Sequence, residues 1–126
     1  MLKPYPAYKP SGVEWLGDVP QHWGVKRLKY LGQSLTGLTY APNDIVSLPD
    51  DGTLVLRSSN VQNGNLSFDD NVYVTTRIPQ TLRARPGDIL ICSRNGSRAL
   101  IGKNALLQEV HGGLTWGAFM TVYRTP

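Results

Sequence analysis

The stretch DILICS at residues 88–93 contains the most apolar run of the chain, Ile-Leu-Ile-Cys at residues 89–92. An apolar run of this length that follows Pro86 and Gly87 is typical of a buried β-strand. We therefore predict a strand at the centre of a sheet over these residues. Cys92 lies inside this strand, which favours a small buried side chain over a reactive nucleophile.

Weaker strand patterns lie on both sides of this stretch. Residues 54–56 begin one strand, and residues 71–76 alternate apolar and polar side chains as a half-buried strand does. Between them, Asn63-Gly64 is typical of a tight turn joining two strands. Residues 118–123 predict the last strand. Residues 79–84 favour one helical turn with proline near its start. The apolar residues of 25–31 fit both a helical and a strand spacing, and we predict a strand there.

The fold class follows from these short elements and from the composition. The 13 glycines and 9 prolines are spread along the chain, which indicates short elements joined by many turns. We predict an α+β fold, a twisted and mostly antiparallel β-sheet with one or two short helices. The apolar positions of the strongest strands should form the core, namely Ile89, Leu90, Ile91, Leu106, Phe119 and Val122.

The length of 126 residues suits one domain, with residues 1–24 as a proline-rich N-terminal arm. Proline disfavours regular structure, so we predict an irregular arm with one short turn at residues 13–16. Trp15, Leu16 and Trp23 are large apolar side chains, and we expect them to be buried where they hold the arm on the core.

The charge is moderately basic, with 13 Lys and Arg against 9 Asp and Glu and a net charge of +4. The excess lies in residues 57–103, which favours a polyanionic partner, although solvated surface side chains explain it equally well. One cysteine forms no internal disulfide, and His22 and His111 are too few for a zinc site. We expect a cytoplasmic protein without metal, cofactor, signal peptide or membrane span.

Catalytic patterns are absent from the sequence. It contains no G-x-S-x-G elbow, phosphate-binding loop or dinucleotide-binding motif. Asp50 and Asp51 precede a glycine turn without a following Glu-x-Lys, which disfavours a metal-dependent nuclease. His22 and His111 are interpreted as surface or capping residues. We therefore expect a protein that is not an enzyme.

Two polar, basic loops remain as candidates for a binding site. Arginine and asparagine can form paired hydrogen bonds with base edges, and serine and lysine suit phosphate oxygens. Ordinary turns with solvated arginines would show the same residues. If these loops do not read bases, Thr39 and Tyr40 are the next candidates. The DNA-binding candidates are Arg57, Ser58, Ser59, Asn60, Arg94, Asn95, Ser97, Arg98 and Lys103.

Four segments resemble the specificity subunits of type I restriction-modification enzymes. SGVEWLGDVPQHWGVKRLKYL (residues 11–31) resembles their opening. LVLRSSNVQNGNLSF (54–68), LRARPGDILICSRNGSRALIGKNALL (82–107) and GAFMTVYR (117–124) resemble, in order, parts of their first target-recognition domain. The opening and the G-D-I-L-x-x-x-x-N-G-S pattern are the most specific.

The resemblance implies a non-catalytic, sequence-specific DNA-binding domain that reads one half of a bipartite site in double-stranded DNA. Separate methyltransferase and restriction subunits would be its partners in DNA methylation and host defence. The alternative is a truncated fragment that docks on the methyltransferase subunit without productive DNA binding. The family continues beyond residue 124, so we expect an incomplete domain, with self-association through an uncovered edge of the last strand.

Overall fold

A computed structural model describes residues 5–108 and 113–126, and the chain divides into two compact units, Met1–Leu31 and Gly32–Pro126. In the described residues the regular elements are short β-strands and 3₁₀ turns, without an α-helix. The strands are β1 (Tyr8–Pro10), β2 (Asp18–Pro20), β3 (Gln33–Thr36), β4 (Ile45–Val46), β5 (Thr53–Leu56), β6 (Val61–Gln62), β7 (Asn65–Leu66), β8 (Val72–Val74), β9 (Ile89–Cys92), β10 (Asn104–Leu106), β11 (Leu114–Trp116) and β12 (Met120–Arg124). The 3₁₀ turns are Leu28–Tyr30, Pro42–Asp44, Pro49–Asp51, Ser58–Asn60, Gln80–Leu82 and Arg98–Leu100.

The first unit contains an antiparallel pair of strands, β1 and β2. The turn predicted at residues 13–16 is confirmed, because the Leu16 N–H donates to the Val13 carbonyl at 3.1 Å. The prediction that the arm is otherwise irregular is wrong. Each of these strands has one neighbour only, and proline is tolerated where a backbone N–H need not pair.

The aromatic side chains of the first unit are exposed, with Trp15 85% and Trp23 47% accessible. The expectation that Trp15, Leu16 and Trp23 are buried is therefore wrong. A unit of about thirty residues has too little interior to enclose several large side chains. The prediction of a strand over residues 25–31 is also wrong, since Leu28–Tyr30 forms a 3₁₀ turn.

The second unit contains two four-stranded sheets and a small hairpin. One sheet has the order β10-β9-β12-β3 and is antiparallel throughout. The other has the order β11-β5-β8-β4, in which only the β11–β5 pair is parallel. The mostly antiparallel architecture is thus confirmed. The short helices predicted with it are present as 3₁₀ turns, including the turn predicted within residues 79–84.

The strand over residues 88–93 is confirmed as an inner strand, β9, between β10 and β12. Leu90 and Cys92 are completely buried, whereas Ile89 and Ile91 are half-buried. Successive side chains of a strand face opposite sides of the sheet, so one face of β9 packs into the core and the other is partly covered. The main cluster also includes Leu56, Val61, Ala105, Leu107, Trp116, Met120 and Val122.

Two predicted core residues are exposed: Leu106 is 52% and Phe119 is 61% accessible. Leu106 lies on the outermost strand, β10, where its neighbours Ala105 and Leu107 are buried instead. Phe119 precedes β12 and alternates with Met120, which is buried. The prediction that Leu106 and Phe119 are core residues is therefore wrong, because both alternate with the buried positions, whereas Val122 is buried as predicted.

The last strand does not have an uncovered edge. Residues of β12 pair with β9 on one side and with β3 on the other, so both edges of its backbone are hydrogen-bonded. The premise for self-association through this strand is therefore wrong. The edge positions of this sheet are occupied by β10 and β3.

An ion pair between the buried Asp88 and the half-buried Arg124 joins β12 to the start of β9. Arg124 Nε and Nη2 donate to the two carboxylate oxygens of Asp88, each at 2.9 Å, and Asp88 is 2% exposed. Arg124 also donates to the carbonyls of Thr81 and Arg83. The hydrogen bonds that the guanidinium donates to Asp88 stabilise its charged form and raise the pKa of Arg124 above its usual value.

Candidate nucleic-acid interface

The two candidate loops start where two buried strands end. Residues 57–60 follow β5 and form the Ser58–Asn60 turn before β6. Residues 94–98 follow β9 and lead into the Arg98–Leu100 turn. Because β5 and β9 are fixed in the two sheets, the positions of both loops are set by the core.

The two loops meet. Asn95 Nδ2 donates a 2.9 Å hydrogen bond to Ser58 Oγ, and the Ser97 N–H donates to Asn95 Oδ1 at 2.9 Å. Cys92 Sγ lies 3.6 Å from the same Ser58 hydroxyl. The hydrogen bond between Asn95 and Ser58 thus joins two residues that are 37 positions apart in the sequence. The Asn95 side chain orients one loop against the other.

Both loops line one open groove with a volume of about 820 Å³. Of the predicted residues, the groove is lined by Arg57, Ser58, Ser59, Arg94, Asn95 and Lys103. Thr39 and Tyr40 also line it, so the two alternative reading positions belong to the same surface. Ser97 and Arg98 are exposed but lie outside the lining.

The groove carries positive charge without a counter-charge in its lining. Arg57, Arg94 and Lys103 contribute cations, and no Asp or Glu is among the described residues that line it. For Arg94 and Lys103, no side-chain hydrogen bond or ion pair is present within residues 5–108 and 113–126. Such a surface attracts anions, and phosphate groups fit the mixture of arginine, lysine and hydroxyl groups.

Arg57 differs from these cations because an internal anion holds it. Its Nη2 donates to the Asp70 carbonyl at 3.0 Å and lies 3.3 Å from Asp70 Oδ2. Its Nε is buried without a hydrogen-bond partner in the described part of the chain. The exposed Asp70 carboxylate therefore competes with any external anion for this guanidinium.

Asn60 is completely buried, unlike the other predicted site residues. Its Oδ1 accepts from the Arg57 N–H at 2.9 Å. Its Nδ2 lies within 3.2 Å of the Ser67 and Asp70 carbonyls and of Asn71 Oδ1. A contact with a base would require Asn60 to leave these bonds, so in this structure it is a positioning residue for the loop.

The sequence reasoning missed several lining residues, namely Leu38, Gln62, Gly96, Leu100, Gly117, Ala118, Phe119 and Met120. For Phe119 a signal was present in the alternation of residues 118–123. Met120 and Val122 share the buried face, which places Phe119 on the other one. For Gln62 and Leu100 no local pattern indicates a site.

The other polar candidates lie elsewhere. Asp50 and Asp51 belong to the exposed Pro49–Asp51 turn and do not line the groove. His22 packs beside Tyr5, with 5.3 Å between ring centroids, and His111 lies outside the described residues. The described residues contain no group of three or more His, Cys, Asp and Glu side chains arranged to hold a metal ion. None of their helical segments has the length and apolar character needed to cross a membrane.

Comparison with known proteins shows what the chain is similar to. It is 29% identical over 110 residues to the Type I restriction enzyme EcoKI specificity subunit of Escherichia coli (strain K12), and 28% identical over 110 residues to the StySPI specificity subunit of Salmonella potsdam. Each match covers 86% of this chain and 24% of the relative, so the chain spans about a quarter of the length of these relatives. No protein-family model matches the chain. The resemblance inferred from the sequence is confirmed: the chain is homologous to a segment of type I restriction enzyme specificity subunits.

Proposed function

We propose that this chain is a non-catalytic DNA-recognition module of a type I restriction-modification system, and that it reads one half of a bipartite site in double-stranded DNA. The observation that supports this proposal best is the meeting of two loops, distant in sequence, at one cationic groove through the Asn95–Ser58 hydrogen bond. The homology to specificity subunits points to the same function. The methyltransferase and restriction subunits of the same system would supply the catalytic activities.

Within the groove, the side chains divide into two chemical roles. Arg94 would read base edges, because a guanidinium can form paired hydrogen bonds with a guanine. Asn95 would position the two loops for this contact, because its Oδ1 and Nδ2 are bonded to the Ser97 N–H and the Ser58 hydroxyl. Lys103 would hold a phosphate as a point charge. Arg57, Ser58 and Ser59 complete the surface, and Ser97 and Arg98 extend it beyond the groove. Asn60 would act indirectly, by holding the backbone of residues 57–60.

The test starts with selection of preferred duplexes from a randomised pool by the complete chain. Binding of the selected and of scrambled duplexes is then measured by fluorescence anisotropy between about 50 and 200 mM salt. Lys103→Ala should weaken binding to both duplexes and lower the salt slope by about one. Arg94→Ala should relax the preference at one base pair, with a loss of about 1 to 3 kcal/mol on the selected duplex.

Arg77→Ala is the matched control, since Arg77 is exposed and does not line the groove. This variant should bind both duplexes as the parent does. If Arg94→Ala and Lys103→Ala were indistinguishable from Arg77→Ala at every salt concentration, the groove would not be the reading surface. Absence of salt-dependent duplex binding by the parent chain would contradict the proposed function itself.

A second candidate function is docking on the methyltransferase subunit without productive DNA binding. The observation that favours it is the exposed apolar surface of the first unit, where Trp15 and Tyr30 are 85% and 74% accessible. Exposed aromatic residues of this size are typical of protein interfaces. If the chain has this function, it forms a complex with the methyltransferase subunit, and Trp15→Ser abolishes that complex. The chain then shows no salt-dependent duplex binding.

A further inference from the structure

Phe119 is a large apolar side chain that lies outside the hydrophobic core. It is 61% exposed, although its neighbour Met120 is 1% exposed. It lies in the short connection between β11 and β12 and lines the cationic groove. A partner that covered this ring would remove apolar surface from water, which favours binding. The chemistry of the groove around Phe119 indicates which kind of partner could do so.

The backbone that carries Phe119 is held in place from several directions. The Met120 N–H donates to the Gly117 carbonyl at 2.9 Å, which closes the turn. The Phe119 carbonyl accepts from the Ser93 and Arg94 N–H groups, both at 3.0 Å, and from Ser93 Oγ at 2.9 Å. A ring presented from a fixed backbone loses little conformational entropy when it binds a partner.

The groove combines this apolar surface with cations. Arg94 and Lys103 line it beside Phe119, together with the apolar Leu100, and the described lining contains no acidic residue. An anionic partner that also presents an apolar group satisfies both features. In duplex DNA the phosphates are the anions. The apolar group on the base edges of the major groove is the 5-methyl group of thymine.

We propose that Phe119 is a specificity-determining residue that contacts thymine methyl groups in the major groove. This inference rests on the proposed function, because it assigns one more role in the same groove. Arg94, which can only donate hydrogen bonds, selects acceptors on base edges. Phe119 adds discrimination by an apolar contact, which thymine provides and cytosine or uracil does not.

The test compares thymine with deoxyuridine, which pairs with adenine in the same way and lacks only the methyl group. The probe is the duplex selected by the complete chain, with its thymines replaced one at a time. The parent should lose about fourfold in affinity for each contacted methyl group that is removed. Phe119→Ala should bind the thymine duplex about tenfold less tightly than the parent and should no longer distinguish it from the deoxyuridine duplex.

Phe68→Ala is the matched control, since Phe68 is 50% exposed and does not line the groove. This variant should keep the full effect of the methyl group. The inference is overturned if the parent binds all deoxyuridine duplexes as it binds thymine, a measurement that needs no variant. It is also overturned if Phe119→Ala retains the parent's discrimination. In either case, salt-dependent duplex binding by the parent would still support the proposed function. If the parent showed no such binding, both the proposed function and the role of Phe119 would be refuted.

Discussion

Replacement of Asn60 by alanine should destabilise the second unit and disturb the groove. The Asn60 side chain accepts from the Arg57 N–H and donates to the Ser67 carbonyl, both at 2.9 Å, in a position without solvent access. Buried groups that lose such partners are not rescued by water. A net loss of about 1 kcal/mol per hydrogen bond, together with the cost of unpaired groups, amounts to about 2 to 4 kcal/mol.

The measurement is thermal and urea unfolding of the complete chain. A loss of this size lowers the melting temperature of a unit of about 100 residues by about 10 to 20 °C. Asn60→Asp provides a sharper comparison, because it keeps an oxygen for the Arg57 N–H but turns the second oxygen towards the Ser67 and Asp70 carbonyls. It should be at least as unstable as Asn60→Ala.

Asn65→Ala is the control for this prediction. Asn65 is exposed in the neighbouring hairpin, and its Nδ2 makes a 3.4 Å contact with the Asn63 carbonyl. Its replacement should change the free energy of unfolding by less than about 0.5 kcal/mol. If Asn60→Ala proved as stable as Asn65→Ala, the assignment of Asn60 as the residue that holds this loop would be refuted.

Three further predictions concern the core of the second unit. Asp88→Ala leaves the half-buried Arg124 guanidinium without its carboxylate and should cost about 2 to 4 kcal/mol in urea unfolding, and parent-like stability would contradict the role of this ion pair. Leu90→Ala should cost about 2 to 5 kcal/mol, whereas Leu106→Ala should cost less than about 1 kcal/mol, because only Leu90 is enclosed; similar losses for the two would show that the buried face of β9 and β10 is misassigned. Gly37→Ala should lower the melting temperature, because its Cβ would clash with the backbone carbonyl oxygens of Trp116 and Gly117, and an unchanged melting temperature would refute this close approach.

Features that depend on neighbouring residues were predictable from the sequence. The apolar run at residues 88–93 is β9, and its cysteine is buried as predicted. Asn63 and Gly64 have φ angles of 54° and 78°, the left-handed conformation required by the turn that joins β6 to β7. Strand period and turn chemistry are local properties, so the sequence alone carries them.

Which side of a strand is buried was decided only by the tertiary structure. Leu106 and Phe119 are as apolar as Leu90, but the fold presents these two positions to solvent. The assignment depends on which strands pair and in which register, and a period of two is the same for either face. The pairing of β1 with β2 also could not be predicted from the sequence. Proline usually indicates irregular structure, but a strand that pairs along one edge only can contain it.

The candidate site shows both contributions. The residue types of its two loops indicated nucleic acid, because arginine, asparagine and serine have the donors and acceptors that base edges and phosphates require. Only the packed structure separates Asn60, buried and committed to its own loop, from Asn95, which joins the two loops at the groove. The sequence determines which hydrogen bonds a side chain can form. The fold decides which of them are already made inside the protein, because burial and neighbours depend on contacts between residues far apart in the chain.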